Sequence, residues 1–112
     1  MKKFSGIVQK GKGYGATLGF PTANIPLEGD FSGVYAAQVR VDGRTYVAAV
    51  FANKERKVLE AYLPDFSGDL YGKEISVELR EKIRETTQFD TEESLKAAIA
   101  GDVAAVKKYF KL

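Results

Sequence analysis

The chain has 112 residues, with 17 Lys plus Arg against 15 Asp plus Glu, and it contains no Cys, His or Trp. This length argues for one domain over residues 1–112, and the missing Cys and His exclude disulfide scaffolds, thiol nucleophiles, Ser-His-Asp triads and the usual zinc sites. A net charge of +2 is too small to mark a dedicated nucleic-acid binder.

Met1-Lys-Lys-Phe-Ser-Gly6 leads into no apolar stretch, so it reads as the start of the domain and not as a signal peptide, with residues 3–9 as a first short strand. Residues 10–19 hold four glycines and fit neither a helix nor a regular strand. Pro21 and Pro26 frame a short extended stretch. Val34–Val41 and Thr45–Phe51 are β-rich runs joined through Asp42-Gly43, which predicts a hairpin. Lys57–Leu63 is a further strand. Ile75, Val77 and Leu79 alternate with polar residues, giving a strand with one buried face that runs on to Arg84. Asp90, with Glu93 three residues on, predicts a helix N-cap and its capping-box partner. Leu95, Ala98 and Ile99 form a helical stripe, Gly101-Asp102 is expected to break or re-cap the helix, and Val103, Val106 and Phe110 resume the spacing. Many short strands followed by a helical tail suggest a closed barrel with the helix over one end or side. The longest apolar run, Tyr46–Ala52, is far short of a membrane span. A cytoplasmic protein with no membrane partner is the expectation.

With Cys and His absent, chemistry must come from carboxylates, hydroxyls, amides, Lys, Arg, backbone N–H groups or a hard cation such as Mg²⁺. Gly6-x-x-x-x-Gly11-Lys12 is followed by Gly13 and by Tyr14-Gly15, which cannot open a helix, so it is not a P-loop. It is either a surface turn or a flap in which Gly11, Lys12, Gly13 and Gly15 close over phosphates. Thr22 and Asn24 share one side of an extended segment. They are either a Pro-Thr turn with an Asn cap or two neutral oxygen ligands for Mg²⁺. Glu60 shares a face with Val58 and Tyr62, as an outward surface carboxylate or as a partly desolvated general base. Asp65–Gly72 is a turn carrying Phe66, Leu70 and Tyr71, which either bury themselves beneath it or wall a pocket for a flat aromatic ligand. Arg84, at the strand-to-helix junction, is a surface charge or an anion contact.

In combination, Leu18-Gly-Phe-Pro-Thr-Ala-Asn24, Gly33-Val-Tyr-Ala36, Glu60, Asp65-Phe-Ser-Gly-Asp-Leu-Tyr-Gly72 with Lys73, Ile83-Arg-Glu85 and Phe89-Asp90 resemble the ATP-dependent riboflavin kinase (flavokinase) family, including the kinase module of bifunctional bacterial FAD synthetases. The likeness runs from about residue 4 to residue 106. It implies a mainly β, six-stranded antiparallel Greek-key barrel with a C-terminal helix. It also implies transfer of the ATP γ-phosphate to the 5′-hydroxyl of riboflavin, giving FMN. On that resemblance Thr22 and Asn24 hold Mg²⁺ and phosphate, Glu60 is the base, residues 11–19 cover the nucleotide, and Phe66, Tyr71 and Arg84 lie at the flavin. The implied partners are riboflavin and ATP, with no nucleic acid and a monomeric chain. The chain departs from the family pattern in three places: a short Ala52–Lys57 segment before Glu60 in which only Asn53 matches the usual motif, Tyr62 where Glu-x-His is common, and Tyr14 and Ala16 where basic residues are common. These departures keep a second reading open, a non-catalytic flavin- or nucleotide-binding module on the same barrel. A nucleic-acid-binding barrel, supported only by the mild positive charge, is a third.

Overall fold

The computed structural model describes residues 2–9 and 19–112. Its strands are β1 (Lys2–Ile7), β2 (Ala23–Pro26), β3 (Gly33–Val41), β4 (Arg44–Asn53), β5 (Val58–Tyr62) and β6 (Glu74–Arg84), followed by one helix, α1 (Glu92–Tyr109). The sheet order is β1-β6-β3-β4-β5-β2, and every pairing is antiparallel. Strands β3, β4 and β5 follow one another as a meander, and β6 returns beside β3, which is the Greek-key connection. The two edge strands come together where the Gln9 amide donates to the Asn24 carbonyl at 2.7 Å, so the sheet is a nearly closed barrel. Contact there is close: a Cβ on Gly6 would lie 3.2 Å from Pro26 Cδ.

The β3–β4 hairpin forms where expected. Asp42 and Gly43 have φ of 51° and 80°, and Val41 pairs with Arg44 across them. Two successive positive φ values give a turn whose twist matches that of the strands. Period-two alternation then fills the barrel. Ile25, Val39, Val50, Leu59, Ile75 and Val77 point inward and are almost wholly buried.

The helix packs on the outside. Val106 is fully buried against Ala36 of β3 and Ala49 of β4, flanked by Val47, Ile83 and Phe110. The two alanines leave room for the helix backbone to approach the sheet, and Asp102, Val106 and Phe110 recur at i, i+4 and i+8 on the packed face. Two local expectations are corrected here. The N-cap is Thr91, one residue later than Asp90. Its hydroxyl accepts from the Ser94 amide at 3.0 Å, which leaves Glu92 and Glu93 in the first turn at the positive end of the dipole. Gly101-Asp102 does not interrupt the helix. A glycine inside a helix costs about 1 kcal/mol, and burial of Val106 together with the bonds made by Asp102 outweighs it.

Candidate active site on the outer face of the barrel

The register of four strand pairs aligns five residues. Arg84 lies opposite Val34, Val34 opposite Phe51, Phe51 opposite Glu60, and Glu60 opposite Asn24. Neighbouring strands are roughly 4.8 Å apart, so Glu60 and Asn24 are direct cross-strand neighbours. Leu59 and Ala61 point into the core on either side of Glu60, which turns Glu60 outward with Tyr62. Ala23 and Ile25 do the same for Asn24, whose side chain is nonetheless buried.

Glu60 is half-buried and loosely held. The Asn53 amide donates to its Oε2 in a long hydrogen bond of 3.4 Å. Asn53 also accepts from the Arg56 amide at 3.2 Å, so one side chain both ties down the short 54–57 turn and touches the carboxylate. The turn closes through Lys57, whose φ is 55°. On the other side, Phe20 meets Tyr62 edge to face, with ring centroids 5.3 Å apart. Thr22, exposed, stands between that contact and the first residue of β2.

Arg84 ends the row and is fully engaged. Its Nε and Nη2 donate to Asp102 Oδ1 and Oδ2, both at 2.8 Å, and Nη1 donates to the Glu85 carbonyl at 3.1 Å. Its guanidinium carbon lies 5.6 Å from the centroid of the Phe89 ring. The hydrogen bonds that Arg84 donates to Asp102 hold the Arg84 pKa above its ordinary value against the opposing effect of burial, with the Asp102 charge adding to the rise. Gly33 makes this corner possible: a Cβ there would fall 2.7 Å from the Arg84 carbonyl, at a φ of 103°.

The structure thus brings Asn24 and Glu60 together and puts Arg84 in the same row, with Thr22 beside its end. Phe66 and Tyr71 are elsewhere. Phe66 packs edge-on against Tyr46, near the β3–β4 hairpin, and partly covers that end of the core. Tyr71 is 59% exposed, and its backbone amide is held by Asp69 Oδ1 at 2.8 Å. Gly11, Lys12, Gly13 and Gly15 lie outside the described residues. No role at the site follows from sequence for Phe20, Phe51 or Asp102. Phe20 lies inside the Leu18–Asn24 motif and Asp102 two turns along the predicted stripe, so both had a local signal, whereas Phe51 enters only through register.

A family model described as riboflavin kinase matches residues 2–110. The chain belongs to the riboflavin kinase family. It is 37% identical over 120 residues to the bifunctional riboflavin kinase/FMN adenylyltransferase of Buchnera aphidicola, covering 96% of this chain and 38% of that protein. It is 38% identical over 122 residues to the RNA-binding riboflavin kinase RibR of Bacillus subtilis, covering 100% of this chain and 53% of that protein. The chain therefore spans well under two thirds of these relatives. Among solved structures, riboflavin kinase from Trypanosoma brucei superposes with a TM-score of 0.70 at 25% identity, over 97% of this chain and 79% of that one. No helix among the described residues is long and apolar enough to cross a membrane.

Donor chemistry bears on the cation. Among the described residues no group of three or more His, Cys, Asp or Glu could hold a metal by itself. A hydroxyl at Thr22 and an amide oxygen at Asn24 suit Mg²⁺, which keeps several waters and takes most remaining ligands from substrate phosphates.

Proposed function

We propose that this chain transfers the γ-phosphate of ATP to the 5′-hydroxyl of riboflavin, giving FMN and ADP. The observation that carries the reading is the pairing of Asn24 with Glu60 across β2 and β5, inside a chain matched to the riboflavin kinase family over residues 2–110. Glu60 accepts the hydroxyl proton while the hydroxyl oxygen bonds to the γ-phosphorus. The bond from that phosphorus to the β–γ bridging oxygen breaks, and the bridging oxygen leaves on ADP. Thr22 and Asn24 hold the Mg²⁺ whose charge offsets that of the phosphates. The Gly11–Gly15 segment with Lys12 is proposed for the nucleotide on sequence grounds. Phe66 and Tyr71 stay proposed flavin contacts on the family resemblance alone. Arg84 shapes the flavin side through the helix it holds, its guanidinium being turned to Asp102. The small net charge favours these small-molecule partners over nucleic acid, and the proposed working form is a monomer.

Phosphoryl transfer asks for positioning and charge neutralisation, not for a covalent nucleophile. That is why a chain without His or Cys can perform it. Incubation with riboflavin, ATP and Mg²⁺, followed by chromatography, should show FMN. Riboflavin bound with no FMN formed would favour the non-catalytic module instead, and oligonucleotide binding that falls steeply with salt would favour the nucleic-acid reading.

A further inference from the structure

Phe20 and Tyr62 meet with ring planes at 84° and centroids 5.3 Å apart. Phe20 is two residues before Thr22, and Tyr62 two residues after Glu60. The contact therefore ties the segment leading into β2 to the strand that carries the proposed base. It does so at a point where ladder pairing has not begun, since the β2–β5 register starts at Ala23 opposite Ala61. Exposed Thr22 lies between two anchors, the aromatic pair on one side and the Ala23–Ala61 pair on the other, and both anchors are on β5. Loss of the aromatic anchor loosens the Phe20–Asn24 segment relative to β5 while leaving the Glu60 side chain and the inward-facing core residues unaltered.

We infer that Tyr62 is a positioning residue for phosphoryl transfer: its ring, through Phe20, fixes the Thr22–Asn24 segment relative to Glu60. The inference rests on the proposed roles of Thr22, Asn24 and Glu60. It is the ring and not the hydroxyl that makes the contact, so Phe at this position should serve and Ala should not. An edge-to-face pair shifts a local equilibrium by roughly 2- to 12-fold, and misplacement of a reacting group amplifies such a loss.

The experiment compares Tyr62→Phe, Tyr62→Ala and Phe20→Ala with the unaltered chain. In both alanine variants kcat/KM for MgATP should fall on the order of 10-fold, while riboflavin affinity, read by flavin fluorescence, stays within about 2-fold. Tyr62→Phe should match the unaltered chain in both. Amide exchange gives a readout independent of activity. The Gln9 amide is bonded to the Asn24 carbonyl, so its exchange should accelerate in the two alanine variants and not in Tyr62→Phe. Parallel losses for MgATP and riboflavin with unchanged Gln9 exchange would mean a merely structural ring and overturn the inference. So would a Tyr62→Phe variant as impaired as Tyr62→Ala. If the unaltered chain forms no FMN, the kinase reading fails, and Gln9 exchange alone decides whether Tyr62 fixes the segment.

Discussion

Glu60, within the outer-face row of the barrel, and Asp102, on the helix beside the Arg84 end of that row, are held in opposite ways. Asp102, on the helix, has both oxygens engaged by Arg84 at 2.8 Å, and its side chain is 8% exposed. Glu60 is half-buried, with the long 3.4 Å bond from Asn53. Paired, short, charge-assisted bonds fix a carboxylate and occupy its lone pairs, whereas the one long bond that Glu60 receives among the described residues leaves lone pairs open to a substrate donor. One acid is built into the fold, and the other is the one proposed for chemistry. Their backgrounds differ in the same sense: Asp102 sits one turn from the buried Val106, while Glu60 sits next to a short turn whose geometry Asn53 maintains.

This contrast predicts opposite phenotypes. Glu60→Gln keeps shape and removes the proposed base, so kcat should fall by roughly 10²–10⁴-fold, with the urea midpoint barely moved. A large stability loss with normal turnover per folded molecule would erase the distinction. Asp102→Ala should do the reverse. It strands a guanidinium that is only 28% exposed, and breaking a buried pair of this kind costs about 3 kcal/mol. Urea denaturation would show the loss, while kcat for the folded fraction at saturating riboflavin falls far less than in Glu60→Gln. Adding Arg84→Met to Asp102→Ala should recover part of the stability, because the second change removes the unpaired charge.

What could be read from sequence was local. Asp42-Gly43 specifies its hairpin because only certain residues accept two positive φ values in succession, and the Ile75, Val77, Leu79 alternation specifies a half-buried strand. The pairing of Asn24 with Glu60 depends on long-range register, which local chemistry does not encode; only the family resemblance placed the two residues in one site. The sequence leaves Arg84 open between a surface charge and an anion contact, and the anion it meets in the structure is internal, an aspartate brought in by helix packing. Gly101 misled for the same reason: its low helix propensity is a local quantity, and the packing that overrules it is tertiary. The sequence leaves Phe66 open between a cover for the core and a wall for a flat ligand, and its packing against Tyr46 at the barrel end near the hairpin depends on contacts that local sequence does not encode.

Smaller changes sharpen the contrast. Asn53→Ala removes the donor to Glu60 and the acceptor for the Arg56 amide. Stability should drop by about 1 kcal/mol, and the turnover loss should be well below that of Glu60→Gln, because the proposed base is still present but less well oriented. An Asn53→Ala variant as inactive as Glu60→Gln would mean that Asn53 is required for turnover beyond orienting the carboxylate. The least change is expected from alkali. Asp102 raises the Arg84 pKa above its unfolded value, so Arg84's share of the stability is complete below the unfolded pKa and is lost only as pH climbs through the higher folded one. Both lie above the range in which the protein would be assayed. The difference in urea midpoint between the unaltered chain and Asp102→Ala should therefore be the same at pH 7 and pH 10. A difference that shrinks by pH 10 would mean that the pair is held together by a group other than this guanidinium.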